Sequence, residues 1–527
     1  MSSSTSDLPS PPTDLRDRLA QLMMVRIGSN LPPVVVVDDD EERIGRLLDE
    51  CPVGGLILFN GTKARTPATL ERLQSRSKYP LLVGSDLERG AGQQLRGYTL
   101  FPHAAALGRS DLVATYVEVL AREAREAGVH IAFAPVADVN TNRQNPIISI
   151  RAFSEDPECA AALSASYVAL AEDRGLLTTA KHFPGHGDTH QDSHDALPSV
   201  DKSLDELRAC ELLPFQAAID SGCSLVMTAH VAFPQIDPSG LPATLSAVLL
   251  KDLLRGEMGF AGVVCSDSLL MAGVRDLFES EGEMALAALN AGVDLLLDIK
   301  DPVEVVNFLV ERVADGKLTT ERIDKAFERV WRLKTKALSS PPPELPRPRG
   351  DWVEGVSDER LAAIWAFSAA QAAIEIGGRA QELIPLDPTK PLVAVLVKPF
   401  ATAIDPPEQP LAAALRERFA DVTYIELGPA ANDAQFAAAR AAALAAPQLV
   451  VAMIVRPAAW HAFGLLAHQA DFVRSLSAAR PTIVASLGVS QALDDYPDAA
   501  VRICTYSDVA VSQQALAELL FGNPLAR

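Results

Sequence analysis

Between residues 23 and 298 the sequence repeats one pattern eight times: a short apolar, β-branched run, then a longer amphipathic stretch. The runs are MMVRIG (23–28), GGLILFN (54–60), PLLVGSD (80–86), HIAFAPVAD (130–138), LTTAKHF (177–183), SLVMTAHV (224–231), GVVCSDS (262–268) and GVDLLLD (292–298). Near-continuous hydrophobicity, rather than strict alternation, is what a strand covered on both faces needs. Helical stretches such as DLVATYVEVLAREAREAG (111–128) and SLDELRACELLPFQAAIDSG (203–222) lie between the runs. Eight such units predict an α/β fold of the (β/α)8, TIM-type barrel kind. A doubly wound open sheet is the structural alternative.

The segment LSSPPPELPRPRGDW (338–352) holds five prolines and reads as a semi-rigid linker. It divides the chain into a barrel over 14–337 and a second region over 353–527. The Ser/Pro-rich start, residues 1–13, reads as a disordered leader with neither a basic nor an apolar signal-peptide region. In 353–527 the alternation resumes, with strands expected at 391–399, 422–428, 449–455, 481–488 and 502–507. Helices are expected near 409–419, 433–446, 461–479 and 509–521. This predicts a smaller α/β sandwich with a parallel sheet. It holds no GxGxxG and no P-loop, so nucleotide binding is not expected; packing or dimerisation is its simplest role.

Lys plus Arg number 47 against 68 Asp plus Glu, a net charge of −21. Such a surface argues against nucleic acid or an anionic membrane as partner, because both select cationic footprints. No apolar run is long enough for a membrane-spanning helix. The six cysteines are scattered with no CxxC spacing. Small buried thiols in a reducing, cytoplasmic compartment are therefore expected.

Polar residues gather at one end of the expected strands. Asp86, Asp138, Lys181, His182, His230, Asp267 and Asp298 each fall at or just past a carboxyl end. In a parallel barrel that face carries the active site, because the βα loops converge there. Four of the nine histidines sit in AKHFPGHGDTHQDSHDALP (180–198): His182, His186, His190 and His194. Their four-residue period suggests a metal comb, but Pro184, Gly185 and Gly187 interrupt any helix that would line them up. The segment reads as a strand end followed by a long loop. A metal site built from loop ligands remains an alternative. Within the loop, Asp192 precedes His194 by two residues. It can fix the imidazole tautomer and raise its basicity, leaving the other nitrogen to exchange a proton with substrate. Asp267, at the end of its strand, can attack an electrophilic carbon or stabilise a cation; helix capping is the other reading of it.

Together these residues resemble glycoside hydrolase family 3, in its β-N-acetylglucosaminidase branch of two-domain type. KHFPGHGDTHQDSH (181–194) is similar to that branch's hallmark loop. SDLERGAGQQL (85–95), IAFAPVADVNTN (131–142), NPIISIRAFSEDP (145–157), VMTAHVAFPQIDP (226–238) and LPATLSAVLLKDLLRGEMGFAGVVCSDSLLM (241–271) follow in family-like order. The resemblance covers roughly residues 15–335. It implies Asp267 as a nucleophile, His194 as acid/base and Asp192 as its partner. It implies that Asp86, Arg151, Lys181 and His182 hold the sugar hydroxyls and N-acetyl group, with His230 lining the site. The implied reaction is hydrolysis, with retention, of terminal β-linked N-acetylglucosamine on small cell-wall- or chitin-derived glycosides. No cofactor and no metal are implied.

Two features depart from the pattern. Gln94 stands where the family often has Arg, so that contact is lost or passes to Arg89 or Arg96. The SDS around Asp267 also differs from common variants. A neutral imidazole does not repel an anion after the first step, so a phosphorylase is one alternative. A metal-dependent barrel hydrolase and a non-catalytic sugar-binding protein are the others.

Overall fold

A computed structural model describes residues 10–522 apart from 191–196, 340, 346–354, 459, 460 and 462. Eight parallel strands form one sheet: β1 (Met23–Ile27), β2 (Gly55–Leu58), β3 (Leu82–Ser85), β4 (Ile131–Ala132), β5 (Leu177–Phe183), β6 (Leu225–Thr228), β7 (Val263–Cys265) and β8 (Leu296–Leu297). They stand in chain order, and β8 returns to pair with β1. Between β7 and β8 the pairing is one bridge, Cys265 to Leu295, so the barrel is nearly closed. All eight expected runs carry a strand of this barrel, and the open-sheet alternative falls.

Burial explains the run composition. Every residue of β2, β3 and β5 is buried. Leu56, Ile57 and Leu58 each contribute about 1.5–3 kcal/mol by leaving water. The weak seam is reinforced below by Asp294, which accepts from the Val264 N–H at 3.1 Å. The same carboxylate pairs with Arg255 at 2.5 Å, Arg329 at 3.1 Å and Arg322 at 3.2 Å. Such a buried carboxylate is tolerable only when paired, and here three cations serve it.

Within the barrel two expectations are corrected. The nine-residue run 130–138 yields a two-residue strand, because Pro135 has no N–H for the ladder. Pairing resumes as a bridge from Val136 to Lys181. The single helix expected over 203–222 is two, Leu204–Ala209 and Leu212–Asp220. Ser203 and Glu206 form a capping box on the first. Pro214 fits the first turn of the second, where its missing N–H costs nothing, but not the interior of one long helix.

The chain forms two compact units. Among the described residues, the first comprises those of Met1–Thr99, Ala114–Asn145 and Ser154–Val356. The second comprises Leu100–Val113, Pro146–Phe153 and Ser357–Arg527. Its sheet runs in the order β9 (Glu375–Gly378), β14 (Val501–Cys504), β13 (Ile483–Gly488), β12 (Gln448–Val455), β10 (Leu392–Val397), β11 (Val422–Leu427). The five expected strands are parallel, but β9 was not expected and pairs antiparallel with β14, so the sheet is mixed. A helix at Asp358–Ala372 was likewise not expected. Ala105, Ala106 and Ile150 pack into this unit's core, with Val395, Val451 and Tyr506.

Among the described residues no helix is long and apolar enough to cross a membrane. Cys51, Cys223, Cys265 and Cys504 are buried free thiols. Cys159 is exposed and Cys210 half-buried, against the expectation that all six are buried. Cys159 lies in the first turn of Pro157–Asp173, where its N–H caps on Asp156 and its side chain meets solvent.

Candidate active site

Lys181 is the fixed point of the cluster. It lies near the end of β5 and is only 2% exposed. Its Nζ is 2.7 Å from Asp86 Oδ1, just past β3, and 2.8 Å from Glu88 Oε1. A buried ammonium persists when carboxylates replace the lost water, and this one has two.

The neighbouring His182 is held by Asp138, which follows β4 and is fully buried. Asp138 Oδ2 is 2.8 Å from His182 Nδ1. The same carboxylate accepts the backbone N–H of His182 at 3.2 Å and of His186 at 2.7 Å. Burial alone would raise the Asp138 carboxyl. The imidazoles of His182 and His186 and the N–H donors outweigh it and hold the group below its ordinary range. With Asp138 ionised, Nδ1 is the His182 ring nitrogen that carries its hydrogen toward the carboxylate.

Asp267 follows β7, two strands round the ring from β5. Burial pushes its carboxyl up, but His182, His230, the Ser268 N–H and Lys181 together hold it below the usual range. Ser268 N donates to its Oδ1 at 2.7 Å. His230, past β6 and buried, has Nε2 3.0 Å from the Ser268 carbonyl and Nδ1 2.7 Å from Thr244 Oγ1. The cluster is an ionised carboxylate facing cationic and imidazole groups. That arrangement suits attack on, or stabilisation of, a developing cation.

Over residues 184–190 the chain runs through turns rather than helix, as Pro184, Gly185 and Gly187 predict. The three described histidines of the run diverge in their partners. His182 meets Asp138, His186 Nδ1 meets Thr189 Oγ1 at 2.8 Å, and His190 Nδ1 meets Asn142 Nδ2 at 3.1 Å. Among the described residues no three His, Cys, Asp or Glu side chains are grouped as a metal site requires. Asp192 and His194 lie outside the described residues.

Gly187 has a steric reason. A Cβ there would sit 1.7 Å from the Val139 carbonyl oxygen, which is backbone and cannot yield cheaply. Gly187→Ala is expected to destabilise the barrel by about 3 kcal/mol. Thermal unfolding checks this against Gly428→Ala, where nothing lies within 4 Å and the melting temperature should hold.

Arg151 falls in Pro146–Phe153, within the second unit, where Nη1 donates to the Ile147 carbonyl at 3.0 Å. Gln94 is buried and its Oε1 accepts from Asn30 Nδ2 at 2.8 Å. Arg96 Nη1 donates to Asn60 Oδ1 at 2.5 Å. The structure thus brings Asp86, Lys181, His182, His230 and Asp267 to one rim. Sequence reasoning missed Glu88 and Ser268, and gave no role to Asp138 or Asp298. Glu88 carried a signal: it stands two residues from Asp86, beside the same strand end.

Fold and rim define a parallel barrel with charged and imidazole side chains gathered at the carboxyl ends of its strands. The profile of the glycosyl hydrolase family 3 N-terminal domain matches residues 14–333, and the chain belongs to that family. It is similar to beta-hexosaminidase A of Pseudoalteromonas piscicida, at 34% identity over 333 residues, 56% of each chain. It is also similar to a beta-hexosaminidase of Stenotrophomonas maltophilia (strain K279a), at 38% identity over 258 residues, 46% of this chain and 76% of that one. The chain thus aligns with little more than half the length of the first of these. Among solved structures, a family 3 beta-N-acetylglucosaminidase from Paenibacillus sp. str. FPU-7 superposes with a TM-score of 0.85 at 30% identity, covering 97% of both chains.

Proposed function

We propose that the protein is a retaining exo-β-N-acetylglucosaminidase acting on small glycosides with a terminal β-linked N-acetylglucosamine. The observation that carries this reading is Asp267: a carboxylate held ionised by His182, His230, the Ser268 N–H and Lys181 at the barrel's carboxyl rim. The beta-hexosaminidase and beta-N-acetylglucosaminidase names of the relatives support the sugar.

In this reading Asp267 attacks the anomeric carbon from one face and forms a covalent glycosyl ester. His194 protonates the departing glycosidic oxygen from the other side, then takes a proton from the incoming water. Asp192 holds the imidazole in the tautomer this requires. Asp86 and Lys181, already hydrogen-bonded to each other, present a carboxylate and an ammonium to vicinal hydroxyls. His182, braced by Asp138, completes the grip on the sugar and its N-acetyl group, and His230 lines the site. Gln94, engaged by Asn30, leaves the contact an arginine would make to Arg89 or removes it. Cell-wall or chitin fragments in a reducing compartment fit a chain with six free thiols. The domain division proposed is a catalytic barrel over 14–337 and a supporting region over 353–527, joined by 338–352.

A product assay tests the whole reading. Purified protein with aryl N-acetyl-β-glucosaminide and chitobiose is expected to release N-acetylglucosamine, first as the β-anomer by NMR. EDTA should leave the rate unchanged. No release from either substrate, or an α-anomer first, overturns the proposal. Sugar 1-phosphate formed on adding phosphate would make the protein a phosphorylase instead.

A further inference from the structure

Behind Asp267 lies a set of groups that the reaction above does not use. Asp298 follows β8 and is buried. Its backbone has a φ of +69°, a left-handed conformation that Asp tolerates better than most residues. Its N–H donates to the Met24 carbonyl at 2.9 Å, which continues the pairing of β8 with β1. Oδ2 accepts from Ser268 Oγ at 2.6 Å. Arg26, on β1, grips the same carboxylate as a fork: Nε donates to Oδ1 at 3.0 Å and Nη2 to Oδ2. The Arg26 guanidinium lies over the Phe59 ring at 4.8 Å, which fixes its plane.

Ser268 is where this set meets the carboxylate of the site. Its hydroxyl is tied to Asp298, its carbonyl to His230 Nε2, and its N–H to Asp267 Oδ1. The next residue, Leu269, donates its N–H to the Leu297 carbonyl at 3.1 Å. Every polar group of Ser268 is therefore committed, and its N–H points Asp267 Oδ1 in one direction.

We propose that Arg26, Asp298 and Ser268 form a positioning relay that aims Asp267 and sets its charge balance. The assignment rests on Asp267 being the nucleophile. Oδ1, held by the Ser268 N–H, is the oxygen that orients; Oδ2 is the oxygen that attacks. The Arg26–Asp298 pair is neutral as a unit. Either member left alone would act on Asp267 through one short residue. An unmatched Asp298 carboxylate would hold a proton on Asp267; an unmatched Arg26 would strip it. The other charged or titratable groups facing Asp267 are Lys181 and His182 from β5, with Asp86 and Glu88 against Lys181, His230 from beyond β6, and the Cys265 thiol on its own strand.

The experiment is a pH profile of kcat/KM on an aryl N-acetyl-β-glucosaminide for three variants of the full chain. Arg26→Gln should move the acid limb about one pH unit upward. Asp298→Asn keeps an acceptor for Ser268 but frees the arginine charge, and should move the same limb downward. Ser268→Ala should lower kcat about tenfold with KM within twofold, since it disturbs aim more than charge. Arg26→Lys, which keeps the charge and loses the fork, should return the limb to its original place and guards against a folding failure of Arg26→Gln. Opposite limb shifts support the relay. Limbs that stay in place, or move in the same direction, overturn it. Covalent trapping with a 5-fluoro-N-acetylglucosaminyl fluoride separates the two layers. A label on Asp267 with unmoved limbs defeats the relay alone, whereas a label on another residue defeats the nucleophile assignment and the relay with it.

Discussion

Asp267→Ala is expected to lower kcat/KM for aryl N-acetyl-β-glucosaminides by about 10⁴-fold or more, roughly 5.5 kcal/mol of transition-state stabilisation. A double-displacement mechanism has no first step without its nucleophile. The groups expected to bind the sugar are untouched by this change. Lys181 keeps Asp86 and Glu88, and His182 keeps Asp138. Affinity for N-acetylglucosamine should therefore remain within a few-fold of the original, which calorimetry reads separately from turnover. The variant leaves a small hollow ringed by His182, His230, Lys181 and the Ser268 N–H, all of which stabilise an anion. Azide should enter that hollow and restore turnover, giving the α-glycosyl azide, since it attacks from the face the carboxylate used. Retained activity in Asp267→Ala sinks the assignment, and a β-azide would place the nucleophile on the opposite face.

The barrel was legible because a strand covered on both faces must be apolar throughout, and eight such runs survive averaging over their neighbours. Strand lengths were less legible. Pro135 inside HIAFAPVAD marks where the ladder stops, and Pro214 marks where one apparent helix becomes two. β9 left almost no trace, because Glu375, Ile376 and Gly378 are exposed on a sheet edge and glycine gives no strand signal. The segments 100–113 and 146–153 illustrate a different limit of sequence reading. Ala105, Ala106 and Ile150 are apolar in either core, and pattern does not say which one receives them. At the rim, the strand-end pattern singled out Asp86, Asp138, Lys181, His182, His230, Asp267 and Asp298, because charge at a strand's carboxyl end has few structural uses. It did not reach Glu88 or Ser268, nor the partners of Asp138 and Asp298, since those depend on which strands become neighbours. Lys181 meets Asp86 across 95 residues of chain, and Ser268 meets Asp298 across 30.

His194→Ala should lose activity in proportion to how much protonic help the leaving group needs. Chitobiose, whose leaving alkoxide is strongly basic, should be cleaved about 10³-fold more slowly, in the range general acid catalysis supplies. A dinitrophenyl glycoside departs without a proton, so its first step should be nearly unaffected. Release from the glycosyl ester would then limit turnover, and a burst of dinitrophenol followed by a slow steady state should be visible. The pH profile gives a second signature. An imidazole acts as acid only while protonated, and its reference pKa is about 6.5. The alkaline fall of kcat/KM on chitobiose should therefore vanish in His194→Ala, and shift to lower pH in Asp192→Asn, where the partner charge that favours the imidazolium is gone. A histidine in this position also decides what can attack the intermediate. Once its proton is given up the imidazole is neutral, so an anion approaching the anomeric carbon meets no charge there. His194→Glu tests this. The variant should retain part of its hydrolysis, because a carboxylate can still accept a proton from water, but should be insensitive to added phosphate or azide as acceptors. The unsubstituted protein should be accelerated by azide. Equal sensitivity to anions in the two proteins would remove His194 from the reaction.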